Sequence, residues 1–286
     1  MLGVTVRHRP TPVKLEETRW IAANPALLMR ETAETKMRDM TTQRTESETR
    51  FFDEFVASHG DYDVLGDGAY RRLVSVFEQR VRPRPGERCV DLGCGTGAFT
   101  RRLRHFGLQL QGMDISPAAV AHASKQATSE RYVCGDITST ELPDGSFDIV
   151  LYSGVLHHFP TRDDRVRVLR EGFRLLAPGG RLFAFDPNQH SPSMWLYRDP
   201  RSPLYSDAGK TDNEVLLTRA GLEHELRNVG FSEIAVFGVS GITFSYIESK
   251  AARLILPLYN VYEQVVRYSP LEKRLGTFLI SVARKA

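Results

Sequence analysis

VDLGCGTGAFT, residues 90–100, sets an acid, Asp91, inside a short apolar run and places Gly93, Gly95 and Gly97 directly behind it. Glycine has no side chain to hold a ligand off and tolerates positive φ. A glycine loop between a strand and a helix therefore lets a ligand lie against backbone. Nucleotide- and phosphate-binding loops share that device, so the details decide. The spacing is Gly93-x-Gly95-x-Gly97 rather than GxGxxG, and no Gly-Lys-Ser/Thr ending follows, which excludes a P-loop. An acid ahead of the glycines repels a pyrophosphate and suits a cationic ligand.

Two more acids close strand-like runs downstream. Asp114 lies 17 residues after Gly97, with an Ile115-Ser116-Pro117 helix start behind it. A carboxylate in that place can accept both hydroxyls of a ribose. Asp136, in Gly135-Asp136-Ile137, can accept from the exocyclic amine of an adenine, while Ile115 and Ile137 flank the ring. The ligand so described has an amine, a ribose and an adenine but no phosphate. S-adenosylmethionine answers to that description.

Around this stretch the chain alternates. Strand-like runs at Cys89–Leu92, Leu108–Asp114, Arg131–Gly135, Phe147–Ser153 and Arg181–Asp186 are interleaved with helical runs at Ala98–Phe106, Pro117–Gln126 and Asp163–Leu176. Strands separated by helices of this length predict an α/β fold, a doubly wound parallel sheet with helices on both faces. Ala177-Pro178-Gly179-Gly180 reads as a helix stop before the fifth strand. A helix at Thr218–Val229 and strands at Phe231–Val239 and Thr277–Ala283 follow. Two stretches break the repeat, residues 188–215 and 241–275. With residues 15–60 they are expected to cap the carboxyl edge of the sheet, where ligands of such folds sit. The domain division expected is an N-terminal helical arm and lid over 1–60 and a main domain over 61–286. Within the second cap, Leu254, Leu258 and Tyr262 stand at helical spacing and are expected to face the core.

VDLGCGTGAFT, GMDIS, GDI, FDIVLYSGVLHHF, FRLLAPGGRLFAFDPN and LRNVGF, in this order, resemble the class I S-adenosylmethionine-dependent methyltransferases, in their small-molecule branch. The likeness covers roughly residues 86–240 and the terminal strand. It implies a seven-stranded, mostly parallel sheet whose last strand is antiparallel, a cofactor lying over the first and fourth strands, and methyl transfer. The family's cofactor contacts carry over to Asp91, Gly93, Gly95, Gly97, Asp114, Ile115, Asp136 and Ile137. Ser153 matches the position whose backbone lies near the cofactor's amino-acid end, and Tyr62 falls in a segment similar to the helix-turn that covers the cofactor.

Methyl transfer is an in-line displacement, so alignment comes first. A hydroxyl acceptor also needs a base. His157 and His158, at the mouth of the fourth strand, are the candidates, and Asp186, ending the fifth, can orient a histidine or bind the acceptor. No metal is expected, because adjacent histidines tend to point apart and no third ligand has fitting spacing. An alkene acceptor, for example an isoprenoid carbon attacked through a carbocation, would instead rely on aromatic faces. The caps supply many: Trp195, Tyr197, Tyr205, Phe244, Tyr246, Tyr259 and Tyr262, with Phe51, Phe52 and Tyr62 from the N-terminal side. An aromatic lid predicts a small, largely apolar acceptor, of the kind found in specialised metabolism, O- or C-methylated.

The balance of 286 residues, 41% hydrophobic, 26% charged and net +3, is that of an ordinary globular protein and shows no basic track for nucleic acid. Three cysteines without a CxxC pair fit a reducing cytoplasm, and no apolar run is long enough to span a membrane. The helix-prone arm suggests a homo-oligomer. Outside enzymology, a non-catalytic cofactor-binding scaffold is the alternative. A dehydrogenase is opposed by the acid before the glycines.

Overall fold

The computed structural model describes residues 43, 45–58, 60, 65–202, 205, 210–211, 213–242 and 250–286. The expectations for the arm before residue 43 and for Tyr62, Phe244 and Tyr246 fall outside them. Residues 48–286 form one compact unit, separate from 1–47.

Within that unit, residues 48–58 are helical (α1), followed by α2 (Asp67–Val81). Then strands and helices alternate: β1 (Arg88–Leu92), α3 (Ala98–Arg102), β2 (Gln109–Asp114), α4 (Pro117–Lys125), β3 (Arg131–Cys134), β4 (Phe147–Ser153), α5 (Arg162–Leu175) and β5 (Leu176–Pro187). The remainder is α6 (Pro192–Arg198), α7 (Arg219–Val229), β6 (Ser232–Val239), α8 (Lys250–Arg267), α9 (Glu272–Leu275) and β7 (Phe278–Arg284). The strands form a seven-stranded sheet in the order β3-β2-β1-β4-β5-β7-β6. Pairing is parallel from β3 to β5, and β7 runs antiparallel to both β5 and β6. This is the doubly wound α/β architecture expected, with the antiparallel strand in place.

Both faces of the sheet are covered, which is why its central strands are continuous apolar runs. In β4, Ile149 and Leu151 face α2 and α3 with Phe77, Phe99 and Phe183. Val150 and Tyr152 face α5 and α7 with Val168, Leu169 and Leu222. The same two-residue alternation turns Asp91 of β1 and Ser153 of β4 toward each other on the α3 side.

Two expectations are corrected. Ala177-Pro178-Gly179-Gly180 does not separate helix from strand. β5 already starts at Leu176, opposite Phe147, and the four residues form a bulge before pairing resumes at Ile149 with Arg181. The excursion is held from the far side, where Gly179 N–H donates to Lys285 O (2.9 Å) and Lys285 N–H to Gly180 O (2.9 Å). The second correction concerns Leu254 and Leu258, which face solvent at 85% and 71% exposure instead of packing inward, while Tyr262 is half-buried. The buried side of α8 is set by Glu263, whose Oε2 accepts from Gly241 N (3.0 Å) and Ile242 N (3.2 Å) and whose Oε1 accepts from Thr277 Oγ1. A carboxylate with three donors fixes the helix's rotation, and the leucines fall on the opposite side.

Candidate active site

The carboxyl ends of β1, β2 and β4 and the loops behind them converge. Gly93 and Cys94 N–H both donate to Met113 O (2.7 and 3.0 Å), which folds the glycine loop back over β2. Gly93 has φ +80°, and a Cβ there would stand 2.3 Å from Val155 Cγ2. Gly95 has φ +53°, and a Cβ there would meet nothing within 4 Å, so its backbone borders open space. Asp114 Oδ2 accepts from Gly95 N (2.7 Å) and Oδ1 from Ser116 N (3.0 Å). Each oxygen keeps a further lone pair for a hydroxyl. Burial raises the Asp114 carboxyl, against the pull of those two N–H groups.

Asp91 sits differently from the direct partner of a cation envisaged above. It is fully buried, with Oδ2 accepting from Thr100 Oγ1 (2.6 Å) and Oδ1 from Ser153 Oγ (2.6 Å). Burial raises its carboxyl too. Asp91 thus ties the end of β1 to α3 and to the end of β4. Asp136 is exposed, and its Oδ1 accepts from Thr138 N (2.7 Å), an Asx turn that leaves Oδ2 outward. Ile137 is buried and Ile115 half-buried. An open backbone strip bordered by carboxylates fits a cationic, phosphate-free nucleoside and disfavours a pyrophosphate. Cys94 is buried, its thiol pushed up by desolvation, and shows no sign of a reactive sulfur.

Beyond β4 the chain makes a 3₁₀ turn, Leu156–His158, that brings both histidines to one side. Their rings lie 4.2 Å apart between centroids. Asp186 Oδ1 is 2.9 Å from His157 Nδ1 and accepts from the His157 backbone N–H (3.0 Å). An oxygen already accepting that N–H is an acceptor toward the ring as well, so Nδ1 carries the hydrogen and Nε2 the lone pair. Asp186 Oδ2 is buried without a partner. His158 Nδ1 lies 3.1 Å from Glu48 Oε2 of α1 and 3.4 Å from Thr211 Oγ1. Asn213 Nδ2 donates to the other Glu48 oxygen (2.8 Å), and Val215 N–H donates to His157 O (2.9 Å).

The two imidazoles diverge electrostatically. Burial, with the neighbouring His158 cation, pushes His157 down to about 3. For His158 burial also opposes charge, but the bond to Glu48 and the charge of Glu214 outweigh it and raise the ring above its ordinary 6.5. Burial raises Asp186 to about 8. Divergent neighbours of this kind separate a neutral base from a cation.

Both reasons for expecting no metal are corrected by the geometry. The histidines do not point apart, because Asp186 and Glu48 each anchor one Nδ1, and Glu214 supplies a third donor: His157, His158 and Glu214 offer one ligand atom each, all within 4.8 Å of one another.

Helix α1 joins the two halves of the site. Asp53 Oδ1 accepts from Ser116 Oγ (2.5 Å) and Ala118 N (3.2 Å), at the start of α4 just beyond Asp114. The preceding residue, Phe52, sets its ring edge-on to His158 (5.5 Å), and Glu48, one turn earlier, pairs with that histidine. Of the aromatics expected in a lid, Phe52 is the one placed on the histidine pair; Trp195 and Tyr205 are 38% and 37% exposed, and Tyr259 OH donates to Ile242 O (2.8 Å). His190 is exposed after β5, with its backbone N–H on Asn188 Oδ1 (3.0 Å). Sequence reasoning missed Glu48, Asp53, Thr211 and Glu214. For Glu48 a signal existed: Glu48, Phe52 and Phe55 share a helical face, which makes an acid the leading residue of an otherwise aromatic stripe.

Comparison with known proteins agrees with this geometry. The family described as methyltransferase domain matches residues 90–184. An uncharacterized methyltransferase of Synechocystis sp. is 29% identical over 192 residues, 67% of this chain and 89% of its own length. The demethylmenaquinone methyltransferase of Beutenbergia cavernae is 35% identical over 120 residues, 42% of this chain, which spans about half (49%) of that relative. Among solved structures, phosphoethanolamine N-methyltransferase 2 of Haemonchus contortus, in complex with S-adenosyl-L-methionine, superposes with a TM-score of 0.55 at 17% identity, covering 82% of this chain and 56% of its own, a likeness of fold.

Proposed function

This chain belongs to the class I S-adenosylmethionine-dependent methyltransferases, and from that premise we propose that it methylates a hydroxyl of a small, largely apolar metabolite, with His157 as the general base. The observation that carries the proposal is the pairing of each histidine with its own carboxylate, His157 with Asp186 and His158 with Glu48.

When bound, S-adenosylmethionine supplies an electrophilic methyl group on a sulfonium. The residues suited to hold it are the Gly93–Gly97 backbone, Asp114 toward the ribose, and Asp136 with Ile115 and Ile137 toward the adenine. Asp91 and Ser153 fix the loop from behind, and the site roles read from the resemblance become proposals in this form. His157 Nε2 accepts the hydroxyl proton as the oxygen attacks. Asp186, on Nδ1, holds the ring in that tautomer. His158, kept cationic by Glu48 and Glu214, stabilises the developing alkoxide. Phe52 and the cap residues exclude water and favour an apolar acceptor skeleton, such as an isoprenoid, polyketide, indole or quinone.

His157→Ala should lower kcat about 10³-fold while cofactor affinity stays within about twofold. Near-full turnover in that variant would overturn the base assignment and favour a carbon acceptor. A chain that binds cofactor but methylates nothing in a host extract with labelled cofactor would favour the non-catalytic scaffold. Loss of turnover on chelation, restored by a divalent ion, would move the His157–His158–Glu214 set from acid–base to metal chemistry.

A further inference from the structure

The outer face of α8 is apolar from Leu254 onward. Leu254, Leu258, Val261, Val265 and Tyr268 are 85%, 71%, 61%, 64% and 80% exposed. They recur every three or four residues, one stripe on a helix, about 21 Å long at 1.5 Å per residue. Pro257 and Gln264 are also exposed within it, and no charge is exposed between Leu254 and Val265. Leu271, 52% exposed, extends the patch beyond the helix end.

Among the described residues the charges around the stripe are one-sided. The acids have been withdrawn: Glu263 is buried against Gly241, Ile242 and Thr277, and Glu272 is bound to Arg72 (3.0 Å) and to Ser240 N (3.1 Å). Lys273 and Arg274 stand exposed beside Leu271, and Arg267 lies over the Tyr268 ring (5.4 Å). A leucine and valine face ending in a tyrosine and three basic residues suits the boundary between acyl chains and anionic headgroups. A second copy of the helix suits it less. Self-pairing needs flanking charges of both signs to set register, whereas this helix carries Pro257 in its interior and, among the described residues, no exposed charge between Leu254 and Val265.

We infer that α8 and α9 form a docking face for an anionic lipid surface, lying in the headgroup boundary without crossing it. Among the described residues no helix is long and apolar enough to span a bilayer. The face is tied to the site's edge of the sheet. Asn188, two residues past Asp186, donates to Arg274 O (3.0 Å) and Gly276 O (2.7 Å). Docking there brings the acceptor side toward the phase in which apolar molecules dissolve. The inference stands on this surface alone and does not depend on the acceptor proposed above.

The full-length protein is to be sedimented with phosphatidylcholine vesicles with and without phosphatidylglycerol, in parallel with Leu258→Glu/Val261→Glu, Leu254→Ser/Tyr268→Ser and Lys273→Glu/Arg274→Glu. The wild type should pellet with the anionic vesicles. The two stripe variants should lose partitioning about tenfold or more with unchanged melting and cofactor affinity, and the charge variant should lose its preference for phosphatidylglycerol. Wild-type protein left in the supernatant, or equal partitioning by both stripe variants, overturns the inference. So does a dimer seen by light scattering that the stripe variants dissolve while vesicles bind nothing, which would assign the face to a second copy.

Discussion

The cofactor half of the site and the acceptor half are built by opposite strategies. The first is compact in sequence. Asp91, Gly95, Asp114 and Asp136 fall within 46 consecutive residues, each at a strand end, and their geometry comes largely from backbone. The second is gathered from Glu48, the 157–158 turn, Asp186 and the 211–214 segment, and its geometry comes from side-chain carboxylates gripping imidazoles. A change in one half should therefore be readable without disturbing the other, except where α1 spans both.

The largest effect that would break this division is at Asp114. Removing a carboxylate that holds Gly95 N–H and is proposed to meet the ribose, in Asp114→Ala, should weaken cofactor binding about 10²-fold by calorimetry. Turnover at saturating cofactor should stay close to wild type. A selective loss of kcat would show that the halves are not separable. Asp53→Ala should act on both halves at once and more weakly, about tenfold in cofactor affinity and in acceptor KM together, measured in one steady-state series. An effect confined to one parameter would make α1 a part of that half alone.

The smallest effect is a pH dependence belonging to the acceptor half. The folded His158 titrates above 6.5. Its cation is fully present below that value and is lost as pH rises through the higher, folded one, so kcat should fall on the alkaline side. The drop should be no more than about fivefold, and His158→Gln should flatten that limb while leaving cofactor affinity pH-independent over the same range. On the acid side His157, pushed down to about 3, stays neutral through the ordinary range and imposes no limb of its own.

The same contrast explains what could be read from the chain beforehand. β1 to β5 and the helices between them announce themselves by alternation and by glycine, because both are local consequences of burial on two faces and of positive φ. The carboxylates that arm the histidines are not local: Glu48 lies 110 residues from His158 and is brought to it by tertiary packing. The stripe at Leu254 and Leu258 was misleading for a related reason. Periodicity tells that a helix has an apolar face, but not what that face meets, and here the buried anchor is Glu263, a residue that hydropathy assigns to solvent. The bulge at 177–180 shows the same limit, since Pro-Gly-Gly marks a break in regularity without saying whether a strand ends there or merely bends.

Helix α1, fastened to the start of α4 by Asp53 and to His158 by Glu48 and Phe52, carries a kinetic consequence. Its fastenings lie within six residues, so this part of the helix is expected to shift as one piece. With the site as proposed, cofactor and product pass the same segment, and product-inhibition patterns should show an ordered rather than a random sequence.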